Sequence, residues 1–354
     1  MNVANSEENA LLSRGYRLLN KVGEGSYSTV YLVECLKDTT EGSKPRSLVC
    51  KVIDTKKAST SFVTKFLPRE IDILVKVSHP HIVQVSAIFQ RLGKYFIFMR
   101  HAEMGDLIDH LVKNGPVLED RARVWHRQLT LALQYLHELG IAHRDIKCEN
   151  ILITINFNAK LGDFGFSRYT NGPREKPILS STYCGSVSYI APEIIRGRPY
   201  APLTTDIWSL GVVLFVMLNN SIPFPDKRTK RMYKDQTTRN WRFRAKIEPT
   251  LSEQVKELVR NMLEPDVKRR WKVEQVLRSR WIAMEPSLLR LNSDEEMALN
   301  SAREKNRRLE LDVLKSEEVN GKKKPSTNQK KNVGSNLTTI FYDKNHRQSL
   351  PFKH

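Results

Sequence analysis

Apolar residues in the first hundred positions fall mostly in short alternating runs, whereas further on they recur at three- and four-residue steps. Residues Tyr16 to Leu36 (YRLLNKVGEGSYSTVYLVECL) alternate around a Gly-Glu-Gly turn. That pattern predicts two antiparallel strands joined by a tight loop. The run Leu48-Val49-Cys50-Lys51-Val52-Ile53 predicts a buried strand around one lysine, and Tyr95 to Met99 another strand. Between them Thr64 to Val77 reads as a helix, with Ile71, Leu74, Val75 and Val77 as its apolar stripe. Pro68 is tolerable there only near the start. The clearest helix is Glu119 to Leu139, where Val124, Leu129, Ala132, Leu133, Leu136 and Leu139 share a face and Gly140 ends the pattern. His126 and His137 read as residues of its polar face. The most apolar run, Leu210 to Leu218, is short of the ~20 residues a membrane span needs and predicts a buried helix.

Outside this pattern, residues 1–13 read as a flexible lead-in. Trp281 is expected to close the compact part, leaving 283–354 as a largely disordered charged tail with a short helical stretch from Asp294 to Leu314. The chain of 354 residues has room for two average domains, or one large unit plus a tail, and 40% hydrophobic residues suffice for a core. Cys35, Cys50, Cys148 and Cys184 are scattered without a CxxC pair, which excludes a disulfide framework and a zinc ribbon. The polar start MNVANSEENA does not resemble a signal peptide, so a soluble, cytoplasmic chain is expected; Lys322-Lys323-Lys324-Pro325 is a short basic run of the kind nuclear import reads.

Net charge is +19, and most of it precedes the tail: 44 basic against 29 acidic residues lie before position 283, and 14 against 10 after it. Such a field favours anionic partners without selecting among them. Residues 227–246 are densest, with Lys227, Arg228, Lys230, Arg231, Lys234, Arg239, Arg242, Arg244 and Lys246 against one internal acid, Asp235. This segment reads either as a solvated helix and loop or as a docking patch for an acidic or phosphorylated partner. The interleaved Tyr233, Trp241 and Phe243 would suit stacking on bases.

The chemistry concentrates in His143-Arg144-Asp145-Ile146-Lys147-Cys148-Glu149-Asn150, with Asp163-Phe164-Gly165 following after a short hairpin. An acid, a cation and an amide within six positions, followed by a second acid, suit phosphoryl transfer. Upstream, Gly23 and Gly25 allow a backbone to approach a phosphate closely. Lys51 is a lysine in an apolar strand: either it is paired or it snorkels from a strand edge. Glu70, nineteen residues on, is the candidate partner, with a plain solvated glutamate as the other reading. Asp106 would bond a ribose or cap the helix that follows it.

These strings, with Ala191-Pro192-Glu193 and Asp206-Ile-Trp-Ser-Leu-Gly211, resemble the protein kinases in order and spacing over residues 14–282. Lys147 resembles the serine/threonine type. KVIDTKKA, KFLPREIDIL, TYCGS and MLEPDVKRR are similar to the testis-specific serine/threonine kinases within the calmodulin-dependent-kinase-like group.

The resemblance implies an α+β bilobal fold: a β-rich N-lobe over about 14–100, a helical C-lobe over about 101–282, and ATP between them. It implies Mg²⁺ on Asn150 and Asp163, Asp145 orienting a substrate hydroxyl, and Lys147 and Lys51 on phosphates, with Glu70 pairing Lys51. Val22, Gly23, Glu24, Gly25, Ser26, Tyr27, Ser28 and Val30 would form the phosphate loop. Met99 would be the gatekeeper and Arg100-His101-Ala102 the hinge against adenine. Thr182 would be the activation-segment phosphosite, with Arg144 as its partner. Asp206 would cap its helix and brace the catalytic loop, and Glu193 would pair with Arg270. Protein serine and threonine hydroxyls would be the substrates, in male germ-cell differentiation. Three departures stand out: Ser28 in place of the third loop glycine, Val49 in place of an alanine, and Arg100 in place of an acid. They keep open a pseudokinase scaffold. The net charge keeps open a basic polymer- or nucleic-acid-binding protein.

Overall fold

A computed structural model describes residues 3–36, 47–170, 179–180, 186–197, 199–225 and 228–320, with side chains from residue 6 to 308 within those spans. The described residues fall into two units. One comprises those up to Val75 and Gln84–His101, and the other Lys76–Val83 and those from Ala102 on.

The smaller unit begins with α1 (Val3–Leu12), followed by β1 (Tyr16–Glu24), β2 (Ser28–Cys35), β3 (Leu48–Asp54), α2 (Leu67–Lys76, its last residue belonging to the other unit), β4 (Val85–Arg91) and β5 (Lys94–Arg100). The strands form one antiparallel sheet in the order β1-β2-β3-β5-β4. β3 lies at its centre, which explains why its sequence is apolar on both faces. A core of Leu11, Val33, Leu48, Cys50, Ala87, Phe96 and Phe98 covers one face, and Tyr16 packs against Phe98 with tilted rings 4.2 Å apart. Leu11 belongs to α1, and Glu7 of the same helix pairs with Lys94 at 2.8 Å. The described part of the expected lead-in is therefore a helix seated on the sheet, because one leucine gives it something to bury. A π-helical turn, Phe62–Phe66, precedes α2 and places Pro68 in the first α-helical turn.

The larger unit contains α3 (Leu107–Asn114), α4 (Glu119–Glu138), the short strands β6 (Ile141–Ala142), β7 (Ile151–Ile153), β8 (Ala159–Leu161) and β9 (Arg168–Tyr169), then α5 (Pro192–Ile195), α6 (Pro202–Asn219), α7 (Thr229–Thr237), α8 (Glu253–Met262), α9 (Val273–Leu277), α10 (Arg280–Ala283) and α11 (Ser293–Asn320). β6 pairs with β9 and β7 with β8, and these two ribbons carry the loops of interest. α6 is long and apolar enough, by length and composition, to cross a membrane, but its side chains are packed inside the unit. Gly211 is required there: a Cβ would meet Met262 Cβ at 2.8 Å, so α6 and α8 touch backbone to side chain.

Two expectations change here. His126 is not on a polar face; it is fully buried beside Trp281, and neither ring nitrogen has a partner among the described residues. Nor does compact structure stop at Trp281. Residues from Pro286 onward wrap back, and α11 packs on α4 with Leu299 and Ala302 buried. Glu295, 2% exposed, takes hydrogen bonds from Arg127 at 2.6 and 2.9 Å and from His81 at 2.7 Å. A charged composition concealed this because the buried charge is paired. Residues 321–354, including the KKKP run, lie outside the described residues.

Candidate active site

In the smaller unit the β1–β2 hairpin carries Val22, Gly23 and Glu24 at the end of β1, Gly25, Ser26 and Tyr27 in the turn, and Ser28 and Val30 in β2. Gly25 N–H donates to the Ser28 carbonyl at 2.8 Å, and a Cβ on Gly25 would stand 2.9 Å from Ser28 Oγ. A side chain at 25 would therefore have to displace the Ser28 hydroxyl. Tyr27 packs on Phe62 at 5.1 Å. Val30 stands opposite Lys51 in the sheet register, and Val49 opposite Met99. Lys51 Nζ lies 2.8 Å from Glu70 Oε1, with the glutamate side chain 2% exposed and the lysine 19%. The buried glutamate thus anchors the ammonium within the smaller unit. The His101 N–H donates to the Ser47 carbonyl at 3.0 Å, and its ring meets Ser47 Oγ at 2.8 Å. Its backbone N–H and its ring are thus both engaged by Ser47.

In the larger unit Asp145 is 4% exposed and lies at the centre of a hydrogen-bond cluster. Its Oδ2 faces Lys147 Nζ at 3.1 Å and Asn150 Nδ2 at 3.0 Å; its Oδ1 accepts from Ser186 N–H at 3.2 Å and Oγ at 3.4 Å. Lys147 also donates to Ser186 Oγ at 3.1 Å. An alcohol oxygen therefore sits between a carboxylate and an ammonium within the fold itself. With its amide nitrogen committed to Asp145, Asn150 retains its carbonyl oxygen for a cation. The Asn150 backbone carbonyl receives Gly162 N–H at 2.8 Å, which ties the catalytic loop to the residue before Asp163.

Arg144 and Asp163 have left-handed backbones, φ 66 and φ 55. Aspartate tolerates this region; arginine does so at a cost. The cost is offset by Asp206, fully buried, whose two oxygens accept the His143 and Arg144 N–H groups at 2.9 and 2.8 Å. α6 starts at Pro202, so Asp206 lies inside the helix and does not cap it. It braces the loop, and its Oδ2 also meets His137 Nε2 at 3.2 Å, so that half-buried histidine of α4 packs against the loop's anchor. Arg144 Nη1 reaches the buried Ser180 Oγ at 3.2 Å; Thr182 lies outside the described residues. Asp106 caps α3 by accepting from Asp109 N–H at 2.9 Å, and burial raises its pKa. Glu193 and Arg270 form a two-pronged pair at 2.6 and 2.9 Å, and Arg270 stacks on Trp208 at 5.0 Å.

Residues 16–282 match the protein kinase domain model. The chain belongs to the protein kinase family. It is 41% identical over 275 residues to testis-specific serine/threonine-protein kinase 1 of Mus musculus, covering 77% of this chain and 73% of that protein. It is 38% identical over 281 residues to testis-specific serine/threonine-protein kinase 3 of Mus musculus (78% and 99%), and 33% identical over 282 to testis-specific serine/threonine-protein kinase 4 of Homo sapiens (76% and 82%). This kinase is thus a serine/threonine protein kinase with a β-sheet lobe and a helical lobe.

Two contributors to the kinase site were not singled out as such in the sequence. Ser186 binds both Asp145 and Lys147; its only signal is a small hydroxyl six residues before Pro192. His143 sits with Nε2 3.0 Å from the Gly162 carbonyl and its ring edge-on to Phe164 at 5.1 Å. Cys148 lies within the loop, but burial raises its thiol to about 12, so it is not a nucleophile. Of the three aromatics that would suit base stacking, two pack within the unit: Phe243 is 4% exposed and stacks on Phe215 at 4.9 Å, and the half-buried Trp241 stands edge-on to both.

Proposed function

We propose that Asp145 is the residue that receives the substrate alcohol, and that ATP with Mg²⁺ is the phosphoryl donor. The supporting observation is Ser186 Oγ, 3.4 Å from Asp145 Oδ1 and 3.1 Å from Lys147 Nζ. The same carboxylate and ammonium suit an incoming serine or threonine hydroxyl. Asp145 accepts its hydrogen bond and takes its proton as the hydroxyl oxygen bonds to the γ-phosphorus and the bond from that phosphorus to the departing ADP breaks. Lys147 stabilises charge on the moving phosphoryl oxygens. The Asn150 carbonyl oxygen and the Asp163 carboxylate are hard donors, few in number, as a magnesium ion that retains water and phosphate ligands requires. Bound there, the ion would offset phosphate charge. In the smaller unit, the hairpin from Val22 to Val30 and the Glu70-anchored Lys51 form a phosphate-holding set, beside which Met99 contributes an apolar wall.

Phosphosite mapping after incubation with ATP and Mg²⁺ tests the assignment. Asp145→Asn is expected to lose ~10²–10⁴-fold of transfer, with a melting midpoint within about 4 °C of the parent. Near-parental transfer would overturn the assignment. Lys51→Met is expected to fail equally in the same assay.

The relatives carry "testis-specific" in their names, and by that likeness the kinase acts in male germ-cell differentiation. The cytoplasm, with entry to the nucleus, is its proposed compartment; imaging of a tagged chain in spermatids tests both. The exposed basic side chains between Arg228 and Lys246 are read as a docking surface for an acidic or phosphorylated protein.

A further inference from the structure

Behind the basic segment is a cavity of about 230 Å³, walled by Arg239, Trp241, Arg242, Glu248, Lys256 and Arg260. The chain reaches it through a left-handed residue, Arg239 (φ 52), after which Asn240 N–H donates back to the Asp235 carbonyl at 2.8 Å. This reversal sends Trp241 against Phe215 and Phe243, at 5.6 and 5.8 Å, and fixes its ring. The indole Nε1–H is shielded from solvent and has no acceptor among the described residues. A buried donor without a partner is costly, and native structures rarely leave one so.

The surrounding cations are unequally occupied. Arg239 pairs with Glu264, and Lys256 with Glu253 at 2.8 Å. Arg260 reaches Glu253 only at 3.9 Å, and Arg242 has no carboxylate partner among the described residues. Glu248 is the one acid on the wall. On the adjoining α7, Met232 and Gln236 face inward, leaving Lys230 and Lys234 exposed together one turn apart.

We propose that this cavity binds the phosphate of a phosphoserine or phosphothreonine in a partner protein, an inference that rests on the docking reading above. Arg242, Arg260 and Trp241 line one cavity and bring three donor groups to its wall. A phosphate brings three acceptor oxygens and a charge of about −1.5 to −2, whereas a carboxylate brings two oxygens and one charge. Glu248 offsets one cation, so a single negative charge gains little here and a dianion still gains. Lys230 and Lys234 suit acidic residues flanking the phosphorylated one. Nucleic acid fits less well, because Phe243 is buried and stacked on Phe215 and is withdrawn from any base.

Fluorescence polarisation with the full-length kinase tests this. The probes are one labelled aspartate-flanked peptide in three forms, with phosphoserine, glutamate or alanine at the central position and no other hydroxyl residue. The phosphoserine form is expected to bind at least tenfold more tightly than the glutamate form. The double variant Arg242→Ala/Arg260→Ala is expected to abolish that margin while phosphorylation of a generic substrate continues. Trp241→Phe, which keeps the packing and removes the N–H, should narrow it. Lys230→Ala/Lys234→Ala should weaken all three peptides alike. Equal binding of the phosphoserine and glutamate forms overturns the phosphate site and leaves the docking surface standing. No binding of any form at low salt overturns both.

Discussion

Two buried carboxylates of the larger unit, Asp206 and Glu295, hold down two different stretches of chain. Asp206 accepts from the backbone amides of His143 and Arg144, in a loop that departs from ordinary backbone geometry. Glu295 accepts from the side chains of Arg127 and His81, and Arg127 also donates to the Leu288 and Arg290 carbonyls at 2.7 and 2.6 Å. The first carboxylate holds a conformation that the loop would not keep unaided. The second neutralises a buried cation and pins a segment that lies beyond the family match. Similar burial thus has different consequences: loss of Asp206 should be read in catalysis, and loss of Glu295 in stability.

Glu295→Ala should have the largest effect. It strands Arg127 without a counter-charge in a buried site, at a cost of roughly 3–5 kcal/mol. Denaturant unfolding should show that loss, while transfer per folded molecule stays near parental. A fall in transfer larger than the unfolded fraction would blur the contrast between the two carboxylates. Asp206→Asn should cost less stability, about 1–3 kcal/mol for one N–H left without an acceptor. Its transfer rate should nevertheless fall beyond what that destabilisation explains; equal falls in both would mean the loop does not need bracing.

Acid sharpens the difference further. Burial opposes ionisation of Glu295, but hydrogen bonds from His81 and Arg127 outweigh it and hold the carboxyl down to about 2. Its contribution is complete above the ordinary value of 4.5 and is lost as pH falls from there through about 2. Burial also lowers His79 and His126 to about 3, so between 6.5 and 3 the unfolded chain binds more protons and stability declines as pH drops. His126→Leu is the mildest test. It replaces an unpartnered buried imidazole and should stabilise by about 1–2 kcal/mol at neutral pH. It should also flatten the decline between 6.5 and 3. An unchanged acid limb in melting curves would show that His126 is not part of it.

Much of the site is legible because its donors are close in sequence. Asp145, Lys147 and Asn150 share one turn of loop, and the apolar strand around Lys51 signals a paired lysine whichever partner it finds. Asp106 was ambiguous because a carboxylate before a helix serves a cap and a ligand with the same atoms; geometry resolves the cap. The aromatics at 241 and 243 were misleading, since a ring between arginines reads as exposed until its packing partner, Phe215, is known.

By itself the amino-acid sequence determined the order of strands and helices, the kinase resemblance and the short-range catalytic set, since periodicity and local spacing carry those. Only the tertiary structure decided that α1 and residues 286–302 belong to folded structure, that Asp206 is committed to the loop amides, and that Trp241 keeps a donor without an acceptor among the described residues beside Arg242. The physical reason is distance along the chain. Arg127 and Glu295 are separated by 168 residues, and whether a charge is solvated or buried against its opposite depends on contacts that no local pattern records.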